Sequence, residues 1–191
     1  MHFGVARVAI RTGGVAQHIQ FNIPIVFGWR CQSVLFQGDE PFFGNHIGIP
    51  LTILAVKKDA ELAVIEMGAN HQNEIAGYCQ YTMPTHGIIT NCGKAHLEGF
   101  GGEMGVIKGK GELFDYLKLH GGTAFIMNDY DYLKEMSAGI ANIFTYGTHD
   151  AAITGEVKNS SGFLSVSITK GAAIETIQTQ LVGEYNLPNI L

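Results

Sequence analysis

Three clusters of polar residues, each preceded by an apolar run, hold the side chains best suited to chemistry. They read AVIEMGANH (Ala63–His71), GIITNCGKAHLEGFGG (Gly87–Gly102) and GVIKGKGELFDYL (Gly105–Leu117). Each cluster places a carboxylate, an imidazole or an amine where a strand or loop would end. Open α/β sheets bind their ligands at the carboxyl ends of the strands. The sequence therefore predicts a functional site at one edge of a sheet.

Glu66 and His96 are the first two candidates. A carboxylate at a strand end, such as Glu66, can hold a hard cation such as Mg²⁺, which prefers oxygen ligands. The alternative is an ion pair with a neighbouring lysine. His96 lies in a loop with several glycines, which allow a ligand to approach the backbone closely. A solvated loop histidine is the alternative for His96.

Lys110 is the third candidate, and Glu112 lies close to it. Placed in the first turn of a helix, a lysine opposes the helix dipole, so a compensating interaction is expected. A phosphate contact would supply one, and carbamylation would supply another by turning the ammonium into an anionic metal ligand. A solvated surface lysine beside Lys108 is the alternative. Asn186 and Asn189, taken alone, indicate only turn or helix-cap roles.

The elements that must position these residues alternate between strands and helices. Short apolar runs predict strands, and periodic apolar residues predict helices between them. The predicted strands are Leu62–Glu66, Gly87–Thr90, Thr123–Met127 and Asn142–Tyr146. Three helices are predicted between and after them: the first begins near Gln72 with Asn70 as its cap, the second spans Val106–Leu119, and the third lies around Tyr132–Ala138. This order predicts an α/β fold with a mostly parallel sheet flanked by helices.

The two ends of the chain differ from this pattern. Three alternating, β-branched segments predict a small antiparallel meander within residues 148–182: Ala152–Lys158, Phe163–Thr169 and Glu175–Leu181. Residues 1–44 are interpreted as a degenerate N-terminal segment in which Ile23–Phe27 is a candidate first strand. Gly13 and Gly14 indicate an ordinary turn. The sequence contains neither GxxxxGKS nor GxxxxGKT, the phosphate-binding loop signature.

Composition excludes several classes of function. The chain has 191 residues, 46% of them hydrophobic, and a net charge of −5, which argues against a broad nucleic-acid surface. Its three cysteines form no CxxC pair, which favours free thiols over a disulfide framework. No apolar run is long enough to span a bilayer, and the N-terminus is a poor signal peptide. We expect a soluble cytoplasmic protein.

Taken together and in order, the motifs resemble one family. NHIGIPLT (Asn45–Thr52), the three clusters above and GEYNLPNIL (Gly183–Leu191) are similar to the central ATP-binding domain of the Mur ligases, which is related to the P-loop NTPases. The resemblance covers roughly Phe21–Val26 and Asn45–Leu191. Within the family, it points to enzymes that join D-alanyl-D-alanine to UDP-N-acetylmuramoyl-tripeptide. It implies that ATP phosphorylates the peptide carboxylate, and that the amine then attacks the acyl phosphate, in peptidoglycan precursor synthesis.

The resemblance also implies roles for individual residues. Glu66 and His96 match the family's Mg²⁺ ligands, and Lys110 matches the lysine whose carbamate helps to hold a second Mg²⁺. These three form the implied catalytic and metal set. Further matches concern the substrates. Asn45 matches a residue near the UDP-substrate and the phosphates, Asn91 and Lys94 flank the site, and Asn186 and Asn189 match the asparagine motif that approaches the adenine. We expect the protein to be a monomer.

The departures from the family leave two interpretations open. In the family, a strand like Ile23–Val26 runs into the glycine-rich phosphate loop, which this sequence lacks. We expect residues 45–191 to form a partial central domain without the UDP-binding and C-terminal domains, and expect this chain alone to be inactive. One interpretation is a ligase in fragmentary form. The other is a non-catalytic relative that keeps a binding surface without ATP chemistry.

Overall fold

A single nine-stranded sheet organises the part of the chain that the computed structural model describes, namely residues 6–11, 34–37, 44–56, 62–92 and 101–191. Its strand order is β2-β3-β1-β4-β5-β6-β7-β8-β9. The strands are β1 (Ala6–Arg11), β2 (Val34–Gln37), β3 (Leu62–Ile65), β4 (His86–Ile89), β5 (Thr123–Met127), β6 (Asn142–Gly147), β7 (Ile153–Asn159), β8 (Phe163–Lys170) and β9 (Thr176–Val182). The helices are α1 (Gly48–Ala55), α2 (Glu74–Thr82), α3 (Glu103–His120), α4 (Asp131–Met136) and, after a 3₁₀ turn at Glu184–Asn186, α5 (Leu187–Ile190).

The sheet has a parallel and an antiparallel part, as the sequence predicted. All neighbours from β2 to β7 pair in parallel, whereas β7, β8 and β9 pair antiparallel. The meander is therefore an extension of the parallel sheet, joined to it by a short ladder in which Tyr146 pairs with Ile153. The predicted fold class is confirmed.

The N-terminal strands were not predicted. β1 occupies a central position, between β3 and β4. Its sequence, ARVAIR, carries arginines at both Arg7 and Arg11, which obscured the apolar run typical of a buried parallel strand. The candidate first strand Ile23–Phe27 lies outside the described residues.

One hydrophobic core lies between the sheet and the helices. Each of the first four helices contributes a fully or almost fully buried side chain to it: Ile49, Cys79, Phe114 and Leu133. Burial raises the pKa of the Cys79 thiol to about 12, so this cysteine stays neutral and acts as a small apolar residue. This agrees with the expectation of free thiols, and both cysteines that the structure describes are unbridged.

Helix α3 lies close to the sheet because two glycines make room for it. A Cβ on Gly87 of β4 would lie 2.8 Å from Leu117 Cδ1, and one on Gly122 would lie 2.6 Å from Leu117 Cδ2. Real Cβ contacts are longer than this, so larger residues at either position would push the helix away. Leu117 itself is completely buried. Within the described ranges, no helix is long and apolar enough to cross a membrane.

Two helix starts differ from the sequence prediction. α2 begins at Glu74, after Asn73 in the left-handed conformation, and Asn70 is not its cap. α3 begins at Glu103, three residues before the predicted start, and follows directly on Gly101 and Gly102, which adopt the positive φ angles that glycine tolerates. The second difference changes the interpretation of Lys110.

Candidate functional site

The carboxyl ends of β3, β1 and β4 meet at one edge of the sheet. Glu66 follows the last residue of β3, and Asn91 lies two residues beyond the end of β4. β1 runs between these strands, and its last residue, Arg11, is in register with Ile89. Glu66 and Asn91 therefore lie at this edge of the sheet.

Lys110 is a buried residue in the middle of α3. Its exposed fraction is only 4%, and its Nζ donates a hydrogen bond to the carbonyl oxygen of Asn91. Two expectations from the sequence are wrong. Lys110 is not in the first helical turn, so the dipole argument does not apply, and it is not a solvated surface lysine. A buried ammonium needs a partner because desolvation of an unpaired charge is costly. The Asn91 carbonyl is such a partner.

Glu66 lies in a loop that is tied to the segment carrying Asn45. The Gly68 amide donates to the Gly44 carbonyl at 2.6 Å, and a Cβ on Gly44 would lie only 3.9 Å from Glu66 Cγ. Gly44 and Gly68 therefore allow the two backbones to touch. Glu66 is partly buried and has further polar interactions of its own. The structure thus brings the surroundings of Asn45 and Glu66 together.

Asn45 caps the turn that opens α1. Its Oδ1 accepts hydrogen bonds from the amides of Ile47, at 2.9 Å, and Gly48, at 3.1 Å. Its own carbonyl accepts from the Ile49 amide at 3.0 Å. These bonds satisfy amides that a helix start leaves without partners. Asn45 thus has a structural role besides the substrate role that the resemblance implies.

Removing this cap is expected to destabilise the protein modestly. Asn45→Ala removes both side-chain bonds and should lower the free energy of unfolding by about 1 kcal/mol. Asn45→Asp keeps an acceptor oxygen and serves as the matched control. Chemical denaturation of the three proteins measures the difference. Equal losses for both variants would show that the cap is not what Asn45 contributes.

Two carboxylates hold the N-terminus of α2. Glu112, on α3, accepts from the amides of Asn73 at 2.5 Å and Ala76 at 2.9 Å. Glu74 accepts from the amides of Asn70 at 2.7 Å and His71 at 3.2 Å. Burial pushes the pKa of Glu74 up, but these bonds outweigh burial and the pKa is lowered. Glu112 therefore joins the helix of Lys110 to the helix that follows the Glu66 loop.

The sequence named Glu112 only as a neighbour of Lys110 and gave Tyr132 no role. The Tyr132 hydroxyl accepts a hydrogen bond from the Cys92 amide at 3.3 Å, directly after Asn91. Neither role leaves a local signature, because the partners are 36 to 40 residues apart in the chain. The KGE spacing of Lys110 and Glu112 was the only available hint.

The remaining candidates fall into two groups. Asn189 Nδ2 donates to Asn186 Oδ1 at 3.3 Å, and Asn186 Nδ2 donates to the Val182 carbonyl at 2.9 Å. These bonds lie within the turn and short helix that follow β9. His96 and Lys94 lie outside the described residues, so their roles stay predictions.

The described residues fit Mg²⁺ only in part. No group of three or more histidine, cysteine, aspartate or glutamate side chains in the described ranges could hold a metal ion. Glu66 supplies an oxygen ligand of the type that Mg²⁺ prefers. Lys110 as an ammonium repels a cation, so only its carbamate would be a ligand. A metal site built on the sequence candidates would therefore need Glu66, a modified Lys110 and residues outside the described ranges.

Comparison with known proteins decides the family. The family model that matches, described as Mur ligase middle domain, covers residues 11–191. The chain belongs to the Mur ligase family. The match begins at the last residue of β1 and includes the whole edge described above. The resemblance given by the motifs is confirmed.

Two curated relatives of this Mur ligase chain carry the same name. The UDP-N-acetylmuramoyl-tripeptide–D-alanyl-D-alanine ligase of Haemophilus influenzae is 36% identical over 190 residues, covering 98% of this chain and 39% of the relative. The enzyme of the same name from Escherichia coli is 31% identical, with 97% of this chain and 42% of the relative covered. The chain thus spans about two fifths of the length of these relatives.

Solved structures agree on the fold of this Mur ligase chain. A crystal structure of MurF from Acinetobacter baumannii covers 78% of the chain and 33% of its own with a TM-score of 0.69 at 26% identity. MurF from Thermotoga maritima, solved in complex with ADP, covers 98% of the chain and 44% of its own with a TM-score of 0.70. At 21% identity, the second likeness bears on the fold alone.

Proposed function

We propose that this chain is the middle domain of an ATP-dependent ligase that joins D-alanyl-D-alanine to UDP-N-acetylmuramoyl-tripeptide. The observation that carries the proposal is the buried amine of Lys110, which is bonded to the Asn91 carbonyl just beyond β4, at the edge where Glu66 follows β3. The names of the relatives in Haemophilus influenzae and Escherichia coli supply the substrates. MurF from Thermotoga maritima, whose fold this chain shares, was solved in complex with ADP, and we propose ATP as the co-substrate here.

The reaction requires anionic oxygens to be gathered and their developing charge to be stabilised. Mg²⁺, when bound, would neutralise charge on the phosphates of ATP and on the acyl phosphate. Glu66 would hold that ion, and Lys110 would contribute once carbamylated, together with His96. Asn45, Asn91 and Lys94 are proposed to contact the substrate, and Asn186 and Asn189 the adenine. The expected cytoplasmic location and monomeric state stay predictions.

The alternative proposal is a non-catalytic Mur-ligase-like binding module or a gene fragment. The absence of a GxxxxGKS or GxxxxGKT motif favours it, because backbone amides and a lysine in that loop normally cradle the ATP phosphates. Arg30 would supply one positive charge, and a single guanidinium cannot replace such a ring of donors. On this alternative, the chain keeps the residues at the carboxyl edge of the sheet but does not carry out ATP-dependent chemistry.

A domain exchange separates the two proposals. In the Escherichia coli relative, the middle domain is replaced by this chain in two versions. The unchanged version carries the sequence as it stands, and the restored version has residues 12–33 of this chain exchanged for the relative's corresponding segment with its phosphate loop. We expect the restored version to ligate D-alanyl-D-alanine in the presence of ATP, and the unchanged version to be inactive. Release of phosphate and formation of the amide product measure the outcome.

The matched control is the restored version with Glu66→Ala. Its rate should fall by about 10² or more if Glu66 stabilises charge in the transition state. A restored version that folds, as judged by circular dichroism, but neither hydrolyses ATP nor forms product would refute the ligase proposal. It would leave the binding module.

A further inference from the structure

One peptide group at the end of β4 is held from two sides. The carbonyl oxygen of Asn91 accepts from Lys110 Nζ, and the amide of Cys92 donates to the Tyr132 hydroxyl oxygen at 3.3 Å. Both atoms belong to the same peptide unit, which links Asn91 to Cys92. The described residues contain no cis peptide bond, so the carbonyl and the amide of this planar unit point in opposite directions. Lys110 and Tyr132 therefore hydrogen-bond to this peptide unit from opposite sides.

The Tyr132 side chain is itself fixed. It is the second residue of α4, and its ring stacks on that of Tyr130 with centroids 5.5 Å apart and planes 14° apart. The ring is partly buried against the hydrophobic core. Burial raises the pKa of the Tyr132 phenol, so the hydroxyl stays neutral and available as an acceptor. The packing of the ring thus fixes the Tyr132 hydroxyl oxygen next to the Cys92 amide, just beyond β4.

We infer that Tyr132 is a positioning residue whose hydroxyl fixes the Asn91–Cys92 peptide and, through it, the place of the Lys110 amine. A planar peptide transmits rotation, so a turn that frees the amide also moves the carbonyl away from Lys110. A hydrogen bond on the amide also polarises the unit and strengthens the carbonyl as an acceptor. The consequence for catalysis rests on the proposed function, but the coupling between Tyr132 and Lys110 does not.

If Tyr132 has only a structural role, removal of its hydroxyl should have a different effect. If the ring acts only by packing, removal of the hydroxyl leaves both the peptide and Lys110 in place. Tyr132→Phe isolates the hydroxyl because it keeps the ring, and Tyr130→Phe is the matched control on the stacked partner. Lys108, exposed on the same helix as Lys110, is an internal reference for amine reactivity.

The test uses the whole chain and two readouts that need no nucleotide. The first is hydrogen exchange at the Cys92 amide. The second is acetylation of Lys110 relative to Lys108 by acetic anhydride, read by mass spectrometry. Tyr132→Phe should raise both by about fivefold, the factor that corresponds to one hydrogen bond of about 1 kcal/mol. Tyr130→Phe should leave both unchanged.

Unchanged exchange and acetylation in Tyr132→Phe would overturn the inference, as would equal changes in Tyr130→Phe. Should Tyr132→Phe fail to fold, Lys110→Met examines the same coupling from the other side. It should accelerate exchange of the Cys92 amide although Tyr132 is intact, and unchanged exchange would again overturn the inference. Because neither readout involves ATP, the ligase proposal can fail while this one stands.

Discussion

Replacing Lys110 by alanine is expected to abolish ligation in an intact ligase that carries this chain, with its phosphate loop restored, as the middle domain. The amine is buried at the carboxyl edge and bonded to Asn91, where no other described lysine is buried. Loss of one group that stabilises transition-state charge typically lowers the rate by about 10²–10³-fold. Small carboxylates such as acetate should restore part of the activity, because they can occupy the place of the carbamate. Steady-state kinetics with and without acetate measures both effects.

The control for this experiment is Lys108→Ala. Lys108 is exposed and lies two residues away on the same helix, so its removal should leave the rate unchanged. Because Lys110→Ala also removes a buried partner of Asn91, its thermal midpoint is compared with that of the parent. Full activity of Lys110→Ala without any carboxylate would disprove the carbamate role.

Replacing Phe114 by alanine is expected to cause the largest loss of stability. The Phe114 side chain is 1% exposed and lies in the core between α3 and the sheet. Truncation of a buried phenylalanine removes transfer free energy and leaves a cavity, which together amount to about 3–5 kcal/mol. Since small domains are stable by only about 5–15 kcal/mol, this variant should be close to unfolding. Urea denaturation followed by circular dichroism measures the loss.

Met104→Ala, on the same helix, is the matched control. Met104 is 76% exposed, so its truncation should change the free energy of unfolding by no more than about 0.5 kcal/mol. Similar losses for Met104 and Phe114 would mean that α3 does not pack on the sheet through the face described above.

The sequence predicted those elements well whose bounds are set by local features, namely the spacing of apolar residues and the turn residues between them. The strand Thr123–Met127 and the three strands of the meander were placed to within one residue of their observed bounds. β1 was missed because Arg7 and Arg11 mask its apolar character, and its central place depends on pairing with β3 and β4. Pairing partners far apart in the chain leave no signal in a single sequence.

The same limit applies to the site. The motifs named Glu66, Asn91 and Lys110, and the structure places all three at or near the carboxyl edge. The burial of Lys110 was not predictable because it depends on where α3 begins and on the elements that cover it. Glu112 and Tyr132 act across 36 to 40 residues of chain, through backbone amides that any residue type could supply.

The measurement that tests the central claim most directly is calorimetric titration of Mg·ATP into the purified chain, with Glu66→Ala as the comparison. If the carboxyl edge at Glu66 and Lys110 is the nucleotide site, we expect binding that depends on Mg²⁺ and weakens about tenfold in the variant, which corresponds to about 1.4 kcal/mol. A folded chain that binds no Mg·ATP, or binds it equally well without the Glu66 carboxylate, would contradict the claim.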